Sequence, residues 1–280
     1  MRYGFVGSFG SATELVRLAV EAEEHGWDGF FGWDGVSLGP APTWDPFTLL
    51  GAVAAQTSRI RLGTLVLALP RRLPWELARQ ALTLDHLSGG RLVLPVGVGV
   101  TDDRAVAGVL GRGATPTDLR TRAALLDETL AVLDLAATAE PFSFTGEHYH
   151  IEEMQIAPAP LQRPHVPVWP VGAWPSVRSM RRAARWDGVV VQLRGERAMA
   201  DPTPDDVRDL VAWLTRERGA DAMAGFDVVL QGTFTGEADA AARAAAYEEA
   251  GATWWIDGRW EGEDAQFTRQ LALVREGPPR

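Results

Sequence analysis

The stretch Arg59–Gly99 reads RIRLGTLVLALPRRLPWELARQALTLDHLSGGRLVLPVGVG and decides the fold. Arg61–Leu67 is a β-rich apolar run of strand length. Pro70 and Pro74 interrupt it, and Pro74 suits the first turn of a helix, where its missing N–H costs little. From Trp75 to Leu87, the residues Leu77, Ala78, Ala81, Leu82, Leu84 and Leu87 recur at helical spacing. Ser88-Gly89-Gly90 ends that helix, and Arg91–Val96 is a second apolar strand. Two strands apolar on both faces, joined by a helix, form a parallel βαβ unit with both sheet faces covered. The second strand runs into Gly97-Val98-Gly99, where absent side chains let the backbone approach a ligand.

The same unit recurs outward in both directions. Strands are expected at Arg2–Val6, Gly29–Trp33, Val168–Val171, Gly188–Gln192, Phe226–Gln231 and Ala252–Asp257, alternating with helices. Ser11 is placed to cap the first helix, and Asp45-Pro46 to start the second. Residues 141–167 break the alternation with a hairpin centred on Thr145-Gly146 and a Pro-rich run. Eight strands alternating with helices predict an α/β fold, a single (β/α)8 TIM barrel over residues 1–280 with a β-hairpin insertion on the loop face. A doubly wound sheet would need G-x-G-x-x-G after the first strand, and the glycines there do not fit.

With 280 residues and 46% hydrophobic composition, the chain buries a large core. A net charge of −10 argues against nucleic acid and anionic membranes as partners. No Cys is present, and all 27 basic residues are Arg, so disulfides, thiolate chemistry and lysine Schiff bases are unavailable. The N-terminus has no signal-like layout, which makes a soluble cytoplasmic protein the expectation.

Active sites of such barrels lie at the strand C-termini. That rule selects Ser8, Asp34, Thr64 to Leu67 with Arg71, Gly97, Gly99, Asp102, Gly172, Trp174, Gln192, Arg194, Gln231 and Asp257. Asp34 could accept a hydrogen bond from a substrate or ring, or cap the next segment. Arg71-Arg72 could hold an anion, with at least one of the two expected in solvent. Gly172-Ala173-Trp174-Pro175 precedes a helix N-terminus and makes a candidate phosphate seat. Among the 11 Trp, Trp33, Trp44, Trp169, Trp174, Trp254 and Trp255 are candidates for walling an apolar pocket. His148 and His150, with Glu147, Glu152 and Glu153 nearby, fall short of a metal site, which needs three well-placed ligands. No metal is expected.

Several segments together resemble the bacterial luciferase-like flavin and deazaflavin oxidoreductases. They include AEEHGWDGFFGWD (Ala22–Asp34), T-x-R-I-x-L-G-T (Thr57–Thr64) and L-D-x-L-S-x-G-R (Leu84–Arg91). RAALLDETLAVL (Arg122–Leu133) and PFSFTGEHYHI (Pro141–Ile151) extend the likeness. The resemblance implies a barrel that holds reduced FMN or coenzyme F420 at the strand C-termini and acts on a small-molecule substrate. It implies a non-prolyl cis peptide at Leu65–Val66, beside Thr64, supporting the ring. It also implies a ring side lined by Gly97 and Gly99, a phosphate seat at Gly172 and Ala173 beside Trp174, and a homodimer. The chain departs from the pattern at two positions. Gly35 stands where F420-dependent members often carry His, and Val100 where they often carry Glu. A cofactor-binding relative without turnover is therefore the alternative. An unrelated hydrolase using Asp34 and Asp257 is a third reading.

Overall fold

A computed structural model describes every residue except 112, 199, 234 and 280, together with all side chains of the described residues but that of residue 264. In chain order the strands are β1 (Arg2–Val6), β2 (Gly29–Gly32), β3 (Arg61–Thr64), β4 (Leu67–Ala68), β5 (Leu94–Gly97), β6 (Phe142–Thr145), β7 (His150–Met154), β8 (Val168–Trp174), β9 (Gly188–Leu193), β10 (Asp227–Gly232) and β11 (Trp254–Asp257). The helices are α1 (Ala12–Glu24), α2 (Pro46–Gln56), α3 (Pro74–Ser88), α4 (Arg104–Ala107), α5 (Leu119–Ala137), α6 (Val177–Ala183), α7 (Pro204–Arg218), α8 (Ala240–Glu249) and α9 (Phe267–Glu276).

Nine strands pair in parallel in the order β3-β2-β1-β11-β10-β9-β8-β5-β4. The ring closes because Leu62 bridges Leu92: Leu62 N–H donates to Arg91 O at 3.0 Å and Val93 N–H to Leu62 O at 2.8 Å. β3 and β4 are halves of one stave, split at Leu65–Val66, whose peptide is cis as the resemblance implies. The result is the expected eight-staved barrel, and its closure removes the doubly wound alternative.

Strand pleat sorts the core. Phe30 and Trp255 face the helices, while their neighbours Phe31 and Trp254 point into the lumen with Trp169. Room for Phe31 comes from Gly4, Gly29 and Gly63, where a Cβ would fall 2.6, 2.7 and 2.8 Å from its ring. Helix starts follow the local sequence. Ser11 and Glu14 form a reciprocal capping box, and Asp45 caps α2 with Pro46 in the first turn.

The hairpin β6–β7 forms within 141–167, but not above the strand ends. α5 descends from those ends, so the chain that leaves it starts at the opposite face of the barrel. The hairpin then lies on the outside of α3 and α5, burying Phe142 and Ile151 against Ala78, Leu82, Val132 and Ala136. Its turn is held by the Glu128 carboxylate, which accepts N–H bonds from Glu147 at 2.8 Å, His148 at 3.1 Å and Tyr149 at 2.9 Å. The following Pro-rich strap is pinned near the C-terminus of α3. Asp85 accepts from Leu161 N at 2.7 Å and from Gln162 Nε2 at 2.8 Å, which makes the strap a fixed wall far from the mouth. Among the described residues, no helix is long and apolar enough to cross a membrane.

Candidate active site

The ends of β2 and β4 are latched by ions. Asp34 follows β2, and its side chain is 3% exposed. One carboxylate oxygen accepts the N–H of Ala68 at 2.9 Å, and the other meets Arg72 Nη2 at 2.6 Å and Arg71 Nη2 at 2.9 Å. Arg71 also binds the Asp34 carbonyl, and its Nη1 reaches Asp103 at 2.8 Å. Both arginines of the pair are therefore turned inward onto one carboxylate, contrary to the expectation that one would be solvated. The turn Leu69–Arg71 that follows β4 brings them to the same side. Asp34 is consumed by this latch and sets the backbone just beyond the Leu65–Val66 bulge.

Asp103, rather than the exposed Asp102, is the buried, hydrogen-bonded acid of its loop. Its carboxylate accepts from Val36 N and Ser37 N, both at 3.0 Å, and from Ala105 N at 2.9 Å. Burial pushes its pKa up, but the three N–H donors and Arg71 outweigh burial and hold the carboxyl below its ordinary value. The loop after β2 is thus tied to the loop after β5.

The expected ring-side residues converge. Thr64 and Leu65 are buried, and Val66 projects toward Gly97, where a Cβ would lie 3.0 Å from Val66 Cγ2. Gly99 has φ +74° and would put a Cβ 2.9 Å from that of Ala68, so glycine is required there twice over. Arg122, in the first turns of α5, donates through Nη1 to Val98 O at 3.1 Å and Gly99 O at 2.7 Å. Spacing gave no sign of this, because the residue lies on a helix and reaches back to the strand end.

The loops after β1, β2 and β11 carry an aromatic cluster. Phe9 meets Trp33 at 5.8 Å and Trp260 at 6.5 Å, and Trp33 meets Trp260 at 6.1 Å, all edge to face. Trp33 Nε1 donates to Ser8 O at 2.6 Å. Gln270 of α9 is fully buried and holds the same loop, accepting from Ser8 N at 3.1 Å and donating to Phe9 O at 3.1 Å. Of the tryptophans expected to wall a pocket, Trp33 is at the mouth. Trp169 and Trp254 fill the lumen, Trp255 packs on Tyr247 outside it, and Trp44 lines a groove of about 600 Å³ between α1 and α2. Pleat alternation and neighbouring glycines, invisible in a residue count, make that division.

At β8, Gly172 serves packing, since a Cβ there would fall 2.5 Å from Val189 and 2.6 Å from Met180. Ala173 N–H donates to Ser179 Oγ at 3.0 Å, and Trp174 meets Trp213 at 6.3 Å. Gln192 and Arg194 lie exposed at the end of β9. At β11, Asp257 is fully buried and paired with Arg259 at 2.8 Å, while its other oxygen accepts from Thr235 N at 3.0 Å. Asp34 and Asp257 are thus each paired with arginine. Among the described residues, the grouping with metal-like spacing is Glu21, Glu24 and His25 on the outer end of α1, away from the mouth.

The luciferase-like monooxygenase family matches the chain over residues 4–277. The chain belongs to this family. Within it, an F420-dependent glucose-6-phosphate dehydrogenase of Nakamurella multipartita is 36% identical over 182 residues, covering 62% of this chain and 50% of that protein. The chain spans about half the length of the curated relatives it matches. Among solved structures, an F420-dependent secondary alcohol dehydrogenase in complex with an F420-acetone adduct superposes with a TM-score of 0.77. It is 15% identical, with 99% of this chain and 98% of the other covered. The oxygenating constituent of 3,6-diketocamphane monooxygenase from Pseudomonas putida, in complex with FMN, gives a TM-score of 0.62 at 18% identity, with 82% and 66% covered. At that identity these structures speak to the fold, and the luciferase-like barrel is the fold observed.

Proposed function

We propose that this luciferase-like barrel is an oxidoreductase that binds reduced F420 or FMN at its C-terminal mouth and uses it on a small organic substrate. The observation that carries the reading is the neutralisation of Asp34, Asp103 and Asp257. Among the described residues, the strand ends supply a shaped seat without a free acid–base pair, which favours a reactive group brought in by a cofactor. The residues present fit such a group. Val66, Gly97 and Gly99 bring backbone and one small apolar side chain together, and Arg122 beside them has a buried Nε without an acceptor. A bound cofactor of this type supplies a hydride or, with FMN, oxygen activation. The chain's own part is to place the ring against Leu65 and Val66, hold that wall through Asp34, and exclude water with Phe9, Trp33 and Trp260.

Titration of the purified protein with FMN and, separately, F420, followed by quenching of Trp fluorescence, tests the reading. Saturable binding of either cofactor supports it, and failure of both in a folded sample refutes it. A second reading, a cofactor binder without turnover, is favoured by Gly35. The Trp33 ring occupies the space a side chain at 35 would need, so the family's frequent His has no place there. Substrate turnover by the cofactor-loaded protein would exclude that reading.

A further inference from the structure

Among the described residues, two buried guanidiniums have no carboxylate partner, and they differ in how their donors are used. Arg91, 9% exposed, lies at the strand N-terminal face. Its Nε donates to Ser88 O at 2.6 Å, Nη1 to Thr57 Oγ1 at 2.9 Å and Ile60 O at 3.0 Å, and Nη2 to Ala54 O and Thr57 O, both at 3.0 Å. All five of its donors are therefore satisfied by the protein. Arg122, 6% exposed, lies at the strand C-terminal face and uses Nη1 alone, on Val98 O and Gly99 O. Its Nε is shut away from solvent with no acceptor.

A guanidinium cannot shed its proton in a protein, and a buried charge without a counter-charge is costly. Two carbonyl dipoles offset part of that charge. Arg91 is complete as it stands, whereas Arg122 is incomplete beside the glycines that would line the ring. We propose that Arg122 is a binding residue for the pyrimidine edge of the cofactor ring, whose carbonyl oxygens take up negative charge when the ring is reduced. This rests on the proposed function, and it assigns to α5 a positive charge that favours the reduced form. The latch arginines cannot serve, because Asp34 and Asp103 already neutralise them.

The test uses the chain as it stands, Arg122→Gln and Arg122→Lys. Gln keeps a donor for the carbonyls and loses the charge; Lys keeps the charge. For each, the thermal midpoint, the dissociation constants for FMN, riboflavin and F420, and the midpoint potential of bound FMN are measured. Arg122→Gln is expected to weaken FMN and riboflavin alike, by roughly ten- to a hundredfold in the reduced state, and to lower the potential. Arg122→Lys is expected to return the potential toward that of the wild type. An unchanged potential in folded, FMN-loaded Arg122→Gln overturns the assignment, as does a loss confined to FMN, which would place the charge on the phosphate. A wild-type protein that binds none of the three refutes the proposed function itself, an outcome distinct from equal binding by wild type and variants.

Discussion

The ring of Trp33 lies over Gly35, so that a Cβ on Gly35 would fall 1.9 Å from Trp33 Cζ3. The ring has little freedom to withdraw, because its Nε1 is bonded to Ser8 O and its faces and edges meet Phe9 and Trp260. Gly35→Ala is therefore expected to destabilise the protein by about 1–3 kcal/mol, the usual cost of forcing extra volume into packed structure. Urea unfolding followed by Trp emission checks this. Equal stability of the variant would mean that the ring moves aside freely.

Asp34 carries the latch, and its substitution should show it. Asp34→Ala leaves Arg71 and Arg72 short of a counter-charge and Ala68 N–H without an acceptor. A loss of about 3–5 kcal/mol is expected, as when one partner of a buried ion pair is removed. Asp34→Asn keeps an oxygen for Ala68 N–H and should lose less. Chemical denaturation of the two variants side by side gives the answer, and an equal loss in both would remove the Ala68 bond from the account.

His165 joins Asp187 at 3.1 Å through Nε2 and Asp134 at 3.0 Å through Nδ1, beside the Trp186 ring. The hydrogen bond to Asp187 pushes its pKa up, burial opposes this, and Asp134 adds to the rise. A raised folded-state pKa stabilises the fold fully below the ordinary histidine value of 6.5 and loses that stabilisation as pH rises through the folded value. The difference in unfolding free energy between wild type and His165→Gln should shrink from pH 6 to pH 9, within about those limits set by the reference pKa. A difference independent of pH would show that the ring is not protonated in the folded state.

Acid sets the opposite case at the start of α7. The Arg197 hydrogen bond holds the Asp206 carboxyl at about 2 against burial, with Thr203 assisting. The contribution is present above the ordinary value of 3.8 and disappears as pH falls through about 2. Arg197→Gln should lose stability near neutrality and converge with wild type in strong acid. Thermal melts across that range test it, and parallel curves would assign Asp206 no linkage to folding.

Much of this was legible in the residues. The apolar strands around 59–99, the capped helices and the eightfold alternation are local properties, and they determined the closed barrel. The family motifs around Thr57 and Leu84 pointed to the cis peptide at Leu65–Val66, which the structure contains. What each polar group does was decided only by the tertiary structure, because it depends on partners far along the chain. Asp34 reads as a ligand contact or a cap, and Arg71-Arg72 as an anion site with at least one residue in solvent, until the turn after β4 folds them onto each other. Asp102 and Asp103 are adjacent acids, but only Asp103 faces the N–H groups of the β2 loop. Trp254 and Trp255 are identical in sequence terms, and pleat direction sends one into the lumen and the other outside. The hairpin's place against α3 and α5 follows from the direction of α5, and Arg122 reaches Val98 O and Gly99 O because that helix returns its first turns to the end of β5. Periodicity is written in neighbouring residues, whereas charge compensation and facing direction exist only after closure brings distant residues within a few ångströms.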